Sequence, residues 1–379
     1  MESVYITKAA VFFPNEPVAN EDMESYLGMM DGKPSPARRI VLAKNGIKSR
    51  YYALDKEGKV THTNVQIAAN AIRNLLDEKT GLNDIDLLAC GTTSPEQLLP
   101  SHGVMVHGEL GGKRNIEVVS FAGSCCTGMQ AMRYAYLSVL TGNAKNAVCC
   151  ASERLSAWMT AHYFEKETEL FRQIEKRPML AFEKEFLRWM LSDGGAALLL
   201  QTKPADNTLS LRVDWIEITS YANEKETCMY AGGDKREDGS FAGWTLFPES
   251  EWLTKSLFSM KQDTRALGEN IVPTGGRFLM DLTRKRNFKD RDIDWFLPHL
   301  SSMFFKEQIM QEFEKIGFYI PEEKWFVNLP AIGNVASVSP FAMVEELLYS
   351  GKLKKGEKLL LMIPESARFS YSYCMLTVC

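Results

Sequence analysis

The sequence predicts an α/β protein built from two similar halves, each wrapping helices around a buried sheet. Three observations carry this expectation. Short apolar runs, at Leu87 to Ala89, Ala147 to Ala151 and Ala196 to Leu200, read as strands buried on both faces. Segments with helical spacing alternate with them. Finally, pieces of the first half recur in the second, in the same order. Asp84-Ile85-Asp86-Leu87-Leu88-Ala89-Cys90 is echoed by Asp292-Ile293-Asp294-Trp295-Phe296-Leu297-Pro298, 208 residues on. Gly123-Ser124 is echoed by Gly333-Asn334, 210 residues on, and a helix-like segment follows each, Met129 to Leu140 and Phe341 to Leu348. Ala147-Val148-Cys149-Cys150-Ala151-Ser152-Glu153 is echoed by Leu359-Leu360-Leu361-Met362-Ile363-Pro364-Glu365, 212 residues on. Matches in order at a nearly constant offset point to a repeat. Pro204, Asp206 and Asn207 break the pattern, which puts the halves at 1–203 and 204–379.

The bulk properties exclude several classes. Of the 379 residues, 45% are hydrophobic and 24% charged, which rules out a disordered chain. A net charge of −4 gives no reason to expect nucleic acid as a partner. The eight cysteines contain no Cys-x-x-Cys spacing, so no zinc cluster is expected. Two pairs, Cys125-Cys126 and Cys149-Cys150, are neighbours in sequence and poorly placed for an ordinary disulfide. The N-terminus lacks a basic stretch followed by a long apolar core, and no apolar run approaches the roughly 18 residues that span a bilayer. The expectation is a cytoplasmic protein that does not cross a membrane.

The segment Ile116 to Gln130 is the strongest functional signal. An apolar strand, Val118 to Phe121, runs through Ala122, Gly123 and Ser124 into Cys125, Cys126 and a helix carrying Met129, Met132 and Leu137. A tight strand-to-helix turn exposes a side chain, and the helix N-terminus directs partial positive charge at it. That setting favours thiolate, the reactive form of cysteine. Free cysteine is also among the most buried residue types, so an inert core pair is the competing reading.

A cysteine nucleophile needs partners. Of His62, His102, His107, His162 and His299, only His299 follows a strand-like run in the half that echoes the cysteine turn. Asn334 lies at the echoing Gly-Asn turn. A duplicated fold brings matching turns together, so Cys126 would face His299 and Asn334.

With these residues in place, the chain resembles the ketoacyl-ACP synthase III family of thiolase-like condensing enzymes over nearly its whole length. Cys126-Thr127-Gly128 is similar to the nucleophile turn. Thr92-Thr93-Ser94 with Pro100-Ser101, Ser192-Asp193-Gly194-Gly195-Ala196-Ala197, Pro298-His299 and Gly333-Asn334 match further motifs in order. The resemblance implies a five-layered αβαβα thiolase-like fold and a homodimer. It implies that Cys126 accepts the acyl group, with Cys125 as packing beneath it. His299 and Asn334 would donate hydrogen bonds to the carbanion and the thioester oxyanion. Leu99 falls where the family lines the partner's acyl pocket, and Ser337 is a further candidate for substrate contact. No metal or redox cofactor is implied. The substrates would be acyl thioesters of coenzyme A or of an acyl carrier protein. The basic stretch Arg284-Lys285-Arg286, with Lys289 and Arg291, could dock such an acidic carrier, although a solvated surface is the commoner use of such a run.

Several departures refine the resemblance. No Trp stands in Ala37 to Ile47, where the family stacks coenzyme A, and Ser366 to Tyr373 replaces a Gly-rich turn. Residues 158–190 form an insertion without an echo, with Leu170, Phe171 and Ile174 and, past Pro178, Phe182, Phe186, Trp189 and Met190 at helical spacing. It reads as extra core, as a dimer contact, or as a lid in which Trp158, Phe186 and Met190 line an apolar substrate tunnel. Phe13 to Asn20, Asn45 to Tyr52 and Thr61 to Asn64 are similar to the ketosynthase/cyclases of dialkylresorcinol and stilbene synthesis. That group joins an acyl or enoyl thioester to a β-ketoacyl thioester and closes a cyclohexanedione ring. The alternative is decarboxylative condensation with malonyl-ACP at the start of fatty acid synthesis. Ring closure needs a further proton transfer. Glu153, ending the strand after the nucleophile helix, is a candidate general base near Cys126, or else a partner of a neighbouring Arg.

Two rival classes fit less well. A papain-like protease shares the order Cys, His, Asn, but Val119 and Ser120 stand where it supplies an oxyanion Gln, and His299 lies 173 residues beyond Cys126. A catalytically silent subunit would lack at least one of Cys126, His299 and Asn334, and all three are present.

Overall fold

The computed structural model describes residues 3–29, 32–35, 38–161 and 186–379. The expected helix positions at Leu170, Phe171, Ile174 and Phe182, the break at Pro178 and the candidate His162 lie outside the described residues. Nine strands build the main sheet: β1 (Tyr5–Phe12), β2 (Leu87–Thr92), β3 (Glu117–Ala122), β4 (Ala147–Glu153), β5 (Gly194–Gln201), β6 (Leu211–Ser220), β7 (Trp295–Pro298), β8 (Lys358–Glu365) and β9 (Ser370–Val378). Their order is β7-β8-β9-β6-β1-β5-β4-β2-β3.

The two ends of this order follow one plan. β2 pairs parallel with β4, β4 antiparallel with β5, and β5 antiparallel with β1. In the other direction β7 pairs parallel with β8, β8 antiparallel with β9, and β9 antiparallel with β6. The echoing segments thus occupy matching strands. β3, parallel to β2 at the far edge, has no counterpart among the described residues. The seam between the two sets is narrow, with Tyr5 opposite Arg212 and Ile6 opposite Leu211. The turn from β5 to β6 covers residues 202–210.

Helices cover both faces, as the unbroken burial of β2, β4 and most of β5 requires. On one face α1 (Asn64–Leu75) and α2 (His102–Leu110) bury Ala68, Ile72 and Val106 against Leu88, Val148 and Leu199. Thr63 starts α1 with a capping box: its hydroxyl accepts from the Gln66 N–H, and Gln66 Oε1 accepts from the Thr63 N–H. The other face carries α3 (Thr127–Leu140) against β2 and β4, and α6 (Ser339–Tyr349) against β1, β5 and β7. α4 (Thr264–Arg286) and α5 (Phe304–Lys315) pack together beside β8 and β9. Asp263 caps α4 by accepting the Ala266 N–H at 2.9 Å.

Two glycines permit close approaches beside the cysteine turn, one to the neighbouring helix and one to the 336–338 turn. A Cβ at Gly91 would lie 2.5 Å from the Thr127 carbonyl oxygen, and one at Gly128 would lie 2.5 Å from the Ser337 carbonyl oxygen. Only glycine lets the end of β2, the first turn of α3 and the 336–338 turn approach this far. Among the described residues no helix is long and apolar enough to cross a membrane.

Candidate active site

The cysteine turn joins β3 to α3. The Thr127 N–H and hydroxyl both donate to the Ser124 carbonyl, at 2.9 and 2.8 Å, which closes the turn and leaves Cys126 at the N-cap of α3. The Cys126 N–H donates to Glu365 Oε2 at 3.0 Å. Its thiol is fully buried and lies 3.5 Å from the Ile363 carbonyl oxygen. Ile363 stands between Met362 and Pro364, and both of those line a deep cleft. Cys125 lines the same cleft directly.

The expected division of labour within the pair is therefore altered. Cys125 is a wall residue rather than packing beneath its neighbour, and the Cys126 sulfur sits behind the wall. The reason is local: α3 begins directly after Cys126, so its side chain turns toward β8 and β9 while that of Cys125 projects from the turn. Burial, followed by the charge of Glu365, pushes the Cys126 thiol well above its ordinary range and the Cys125 thiol up to about 12.

His299 and Asn334 line this cleft too. The end of β7 delivers His299, whose N–H donates to the Met362 carbonyl at 2.8 Å. Its ring is buried, Nδ1 has no hydrogen-bond partner among the described residues, and burial lowers its pKa to about 4, so the imidazole is neutral at physiological pH. The backbone of Asn334 pairs on both sides: its N–H donates to Met190 O, and its carbonyl accepts from the Ser192 N–H, each at 2.9 Å. Asn334 Oδ1 accepts the Ala336 N–H at 3.0 Å, which leaves the NH2 end of the amide for a substrate. The site therefore offers a neutral imidazole and an amide donor, the groups that stabilise an oxyanion or enolate without a buried cation.

Glu153 corrects its expected role. Its carboxylate accepts from the Thr93 N–H and hydroxyl (3.0 and 2.7 Å), from the Ser94 N–H and hydroxyl (3.1 and 2.7 Å), and from the Ser337 hydroxyl (2.5 Å). It is fully buried, burial raises its pKa, and it is not in the cleft wall. Its lone pairs are occupied by donors from both halves. The Arg pairing does not hold either, for Arg154 binds Glu96 at 3.2 Å. Ser337 is likewise corrected from a substrate contact to a ligand of Glu153.

The remaining candidates divide. Met190 lines the first cleft with Leu155, Leu267, Ile271, Phe305 and Ile309, around about 830 Å³ of empty space partly open to solvent. Trp158 lines a second, wider cleft, about 1460 Å³ of empty space including the open solvent at its mouth, with Met229, Tyr230, Phe241, Trp244 and Phe258. Thr93, Ser124, Met229 and Met260 belong to both, so the clefts meet beside the cysteine turn. Phe186 is half-buried against the core and lines neither cleft. Leu99 is 85% exposed and touches neither cleft of its own chain. In the basic stretch, Lys285 and Arg286 both bind Glu217, at 2.9 and 2.5 Å, and Arg284 binds Asp281 at 2.7 Å, so the chain's own carboxylates neutralise much of it. Among the described residues no cluster of His, Cys, Asp and Glu is arranged to hold a metal ion.

Sequence reasoning did not single out Glu365. It is 9% exposed, and burial raises its pKa against the hydrogen bonds that lower it, from the Cys126 and Ser124 backbone and the Ser370 side chain. One signal was present: the repeat aligns Glu365 with Glu153.

Comparison with known proteins agrees with this geometry. Residues 283–363 match the C-terminal family model of 3-oxoacyl-[acyl-carrier-protein] synthase III. The β-ketoacyl-[acyl-carrier-protein] synthase III of Clostridium perfringens is 24% identical over 377 residues, covering 96% of this chain and 95% of its own. That of Chlorobaculum tepidum is 23% identical, covering 94% of each. Among solved structures, the tetronic acid condensing enzyme AbyA1 superimposes with a TM-score of 0.75 at 19% identity over 99% of both chains. An OleA variant of Xanthomonas campestris, with lauric acid and lauroyl-CoA bound, gives 0.73 at 18% identity over 99% of both. The fold is thus thiolase-like, and the chain is similar over nearly its whole length to the ketoacyl-ACP synthase III family of condensing enzymes, acyltransferases that act as ketosynthases.

Proposed function

We propose that the enzyme joins two acyl thioesters. An acyl or enoyl group would be taken onto Cys126 and condensed with a β-ketoacyl thioester, and the product would close to a cyclohexanedione, the precursor of a dialkylresorcinol. The observation that carries this reading is the pair of apolar clefts meeting at the cysteine turn, one holding His299 and Asn334. Two chains need two arms, and the carbon–carbon bond must form where the arms join. The motif Cys126-Thr127-Gly128 and its place at the α3 N-cap support Cys126 as the acceptor. His299 and Asn334 then donate to the enolate, and no step requires a metal or redox cofactor.

A second reading puts the acyl group on Cys125, favoured by its place in the cleft wall. Intact-mass analysis after incubation with a panel of acyl thioesters separates the two. The expected acyl increment is lost in Cys126→Ala and kept in Cys125→Ala; the reverse moves the acceptor to Cys125, and no increment in the wild type overturns acyl transfer by this turn. Adding a β-ketoacyl thioester is expected to release a joined, cyclised product. In His299→Ala or Asn334→Ala the acyl-enzyme should still form, while condensation falls by about 100- to 1000-fold. Decarboxylative initiation, the reading favoured by the names of the curated relatives, predicts instead carbon dioxide release with malonyl-ACP and no ring.

The working unit in this reading is a homodimer, each chain built of the halves 1–203 and 204–379. β3 stands at the open edge of the sheet, with Glu117, Ser120 and Ala122 exposed, and Leu98 and Leu99 are exposed in the loop between β2 and α2. Leu99 would cross to the partner's cleft. Sedimentation of the wild type as a monomer would remove this element. All eight cysteines are unpaired, which suits a reducing cytoplasm and a free nucleophilic thiol. An acyl carrier protein remains the expected donor, docked elsewhere than on the neutralised 284–286 stretch.

A further inference from the structure

The cysteine turn has no evident proton acceptor in the reading above. A neutral imidazole with a pKa near 4 is a weak base, and Glu153 is filled by donors. Both thiols are protonated at rest. Thiolate must nevertheless appear as the sulfur attacks, and its proton must go somewhere.

We propose that Glu365 is that acceptor, the group that takes the thiol proton during acyl transfer and returns it to the departing carrier thiol. The inference rests on acyl transfer at this turn, and three observations support it. Glu365 Oε2 is held 3.0 Å from the Cys126 N–H, on the residue that bears the reacting sulfur; the resting thiol lies against the Ile363 carbonyl at 3.5 Å, so the proton would pass to the carboxylate through one water or after a turn of the thiol. Its neighbours Pro364 and Ser366 line the first cleft, so the end of β8 is part of the reaction chamber. Its charge acts on both the Cys125 and the Cys126 thiol, and the other groups on it are the Ser124 backbone and the Ser370 side chain.

The step balances. As the bond from Cys126 Sγ to the thioester carbonyl carbon forms, the S–H proton passes to Glu365. Neutral Glu365 then holds the Cys126 N–H less strongly, and that N–H becomes available to the tetrahedral oxyanion. Collapse breaks the bond between the carbonyl carbon and the carrier sulfur, and the proton on Glu365 goes to the leaving thiolate. The enzyme is left acylated, the carrier leaves as a free thiol, and Glu365 is again a carboxylate. One residue would thus exchange two occupants of the same N–H, its own carboxylate at rest and the oxyanion in transit.

Glu365→Gln tests this, because the amide oxygen can still accept from the Cys126 N–H but cannot take a proton. Two rates are compared with octanoyl-coenzyme A as the acyl donor and iodoacetamide as the alkylating probe, the latter mapped to the Cys125-Cys126 peptide. Acylation is expected to fall by about 100-fold or more. Alkylation is expected to rise, since loss of the neighbouring charge favours thiolate. A merely electrostatic or structural Glu365 would move both rates together, and acylation that is unchanged or faster overturns the proposal. Alkylation that does not rise also overturns it, for then the carboxylate does not face the thiol. Glu365→Asp keeps the charge and guards against a folding artefact: it should recover part of the acylation rate, and a rate no better than that of Gln counts against the role. A wild type that forms no octanoyl adduct fails earlier and sinks the acyl-transfer reading itself. A wild type that acylates no faster than Glu365→Gln sinks only the role of Glu365.

Discussion

Glu153 and Glu365 occupy the same place in the two halves, at the ends of the matching strands β4 and β8, and they are used differently. Glu153 collects donors from Thr93, Ser94 and Ser337 and ties the N-terminal half to the 336–338 turn. Glu365 collects fewer donors and spends one of its bonds on the residue that carries the candidate nucleophile. Both are buried carboxylates with raised pKa values. Burial therefore does not distinguish a structural acid from a chemical one. What distinguishes them is whether the acceptor capacity is already filled.

The largest expected effect is on the filled one. Glu153→Ala strands the Thr93 and Ser94 N–H groups and three hydroxyls in a dry interior, and a loss of about 4 kcal/mol in urea unfolding is expected. Glu365→Gln keeps an acceptor in place and should change stability by about 1 kcal/mol at most. Equal losses at the two positions would break the comparison.

Acid gives the next lever, because the buried histidines His102 and His299 and the buried Glu365 shift in opposite directions. His102 and His299 are held neutral with pKa values lowered to about 4, against 6.5 in the unfolded chain. Each contributes stability that is present above pH 6.5 and lost as pH falls toward 4, up to about 3 kcal/mol. Glu365 works the other way: its folded pKa is raised, so it costs stability when ionised, and acidification recovers that cost. Melting temperature should fall between pH 6.5 and 4, and more steeply in Glu365→Gln than in the wild type. Identical slopes would mean that Glu365 carries no such cost.

A smaller effect sharpens the other side. Ser337→Ala removes one hydroxyl from Glu153 while Thr93 and Ser94 remain, with an expected loss of about 2 kcal/mol. Acylation should survive, because Ser337 lines neither cleft. Loss of acylation with stability intact would return Glu153 and its ligands to the chemistry.

Much of this architecture could be read from the residues. Ala147 to Glu153 and Leu359 to Glu365 announce their strands because a strand covered on both faces needs an unbroken apolar run, and the offset of 212 pairs them in the fold. His299 and Asn334 were found in the same way, from turns that echo the cysteine turn. The orientation of two adjacent cysteines was not legible. It depends on where α3 starts and on what β8 and β9 present to it, neither of which a motif encodes. The contrast between the two glutamates was half legible. The repeat aligned them, but their donors, Thr93, Ser94 and Ser337 for one and the Cys126 N–H for the other, come from distant segments that only the fold assembles.

The comparison reaches the substrate through the residues after Glu365. Pro364 and Ser366 face the first cleft, and Ala367 and Arg368 face the second, so this glutamate stands where the arms part. If each arm holds one chain, narrowing them should have separable effects. Val272→Phe narrows the first cleft, and each methylene it excludes from the acyl donor should cost about 0.8 kcal/mol, or roughly fourfold in kcat/KM for long donors, with short donors unaffected. Ala231→Phe narrows the second and should do the same for the β-ketoacyl partner while leaving acyl-enzyme formation unchanged. Measuring kcat/KM against chain length for donor and partner in both variants decides it. A donor effect from Ala231→Phe exchanges the two arms. An absence of any chain-length effect from that variant leaves the second cleft without a chain to hold, and then Glu365 serves a single-armed enzyme of the decarboxylative kind.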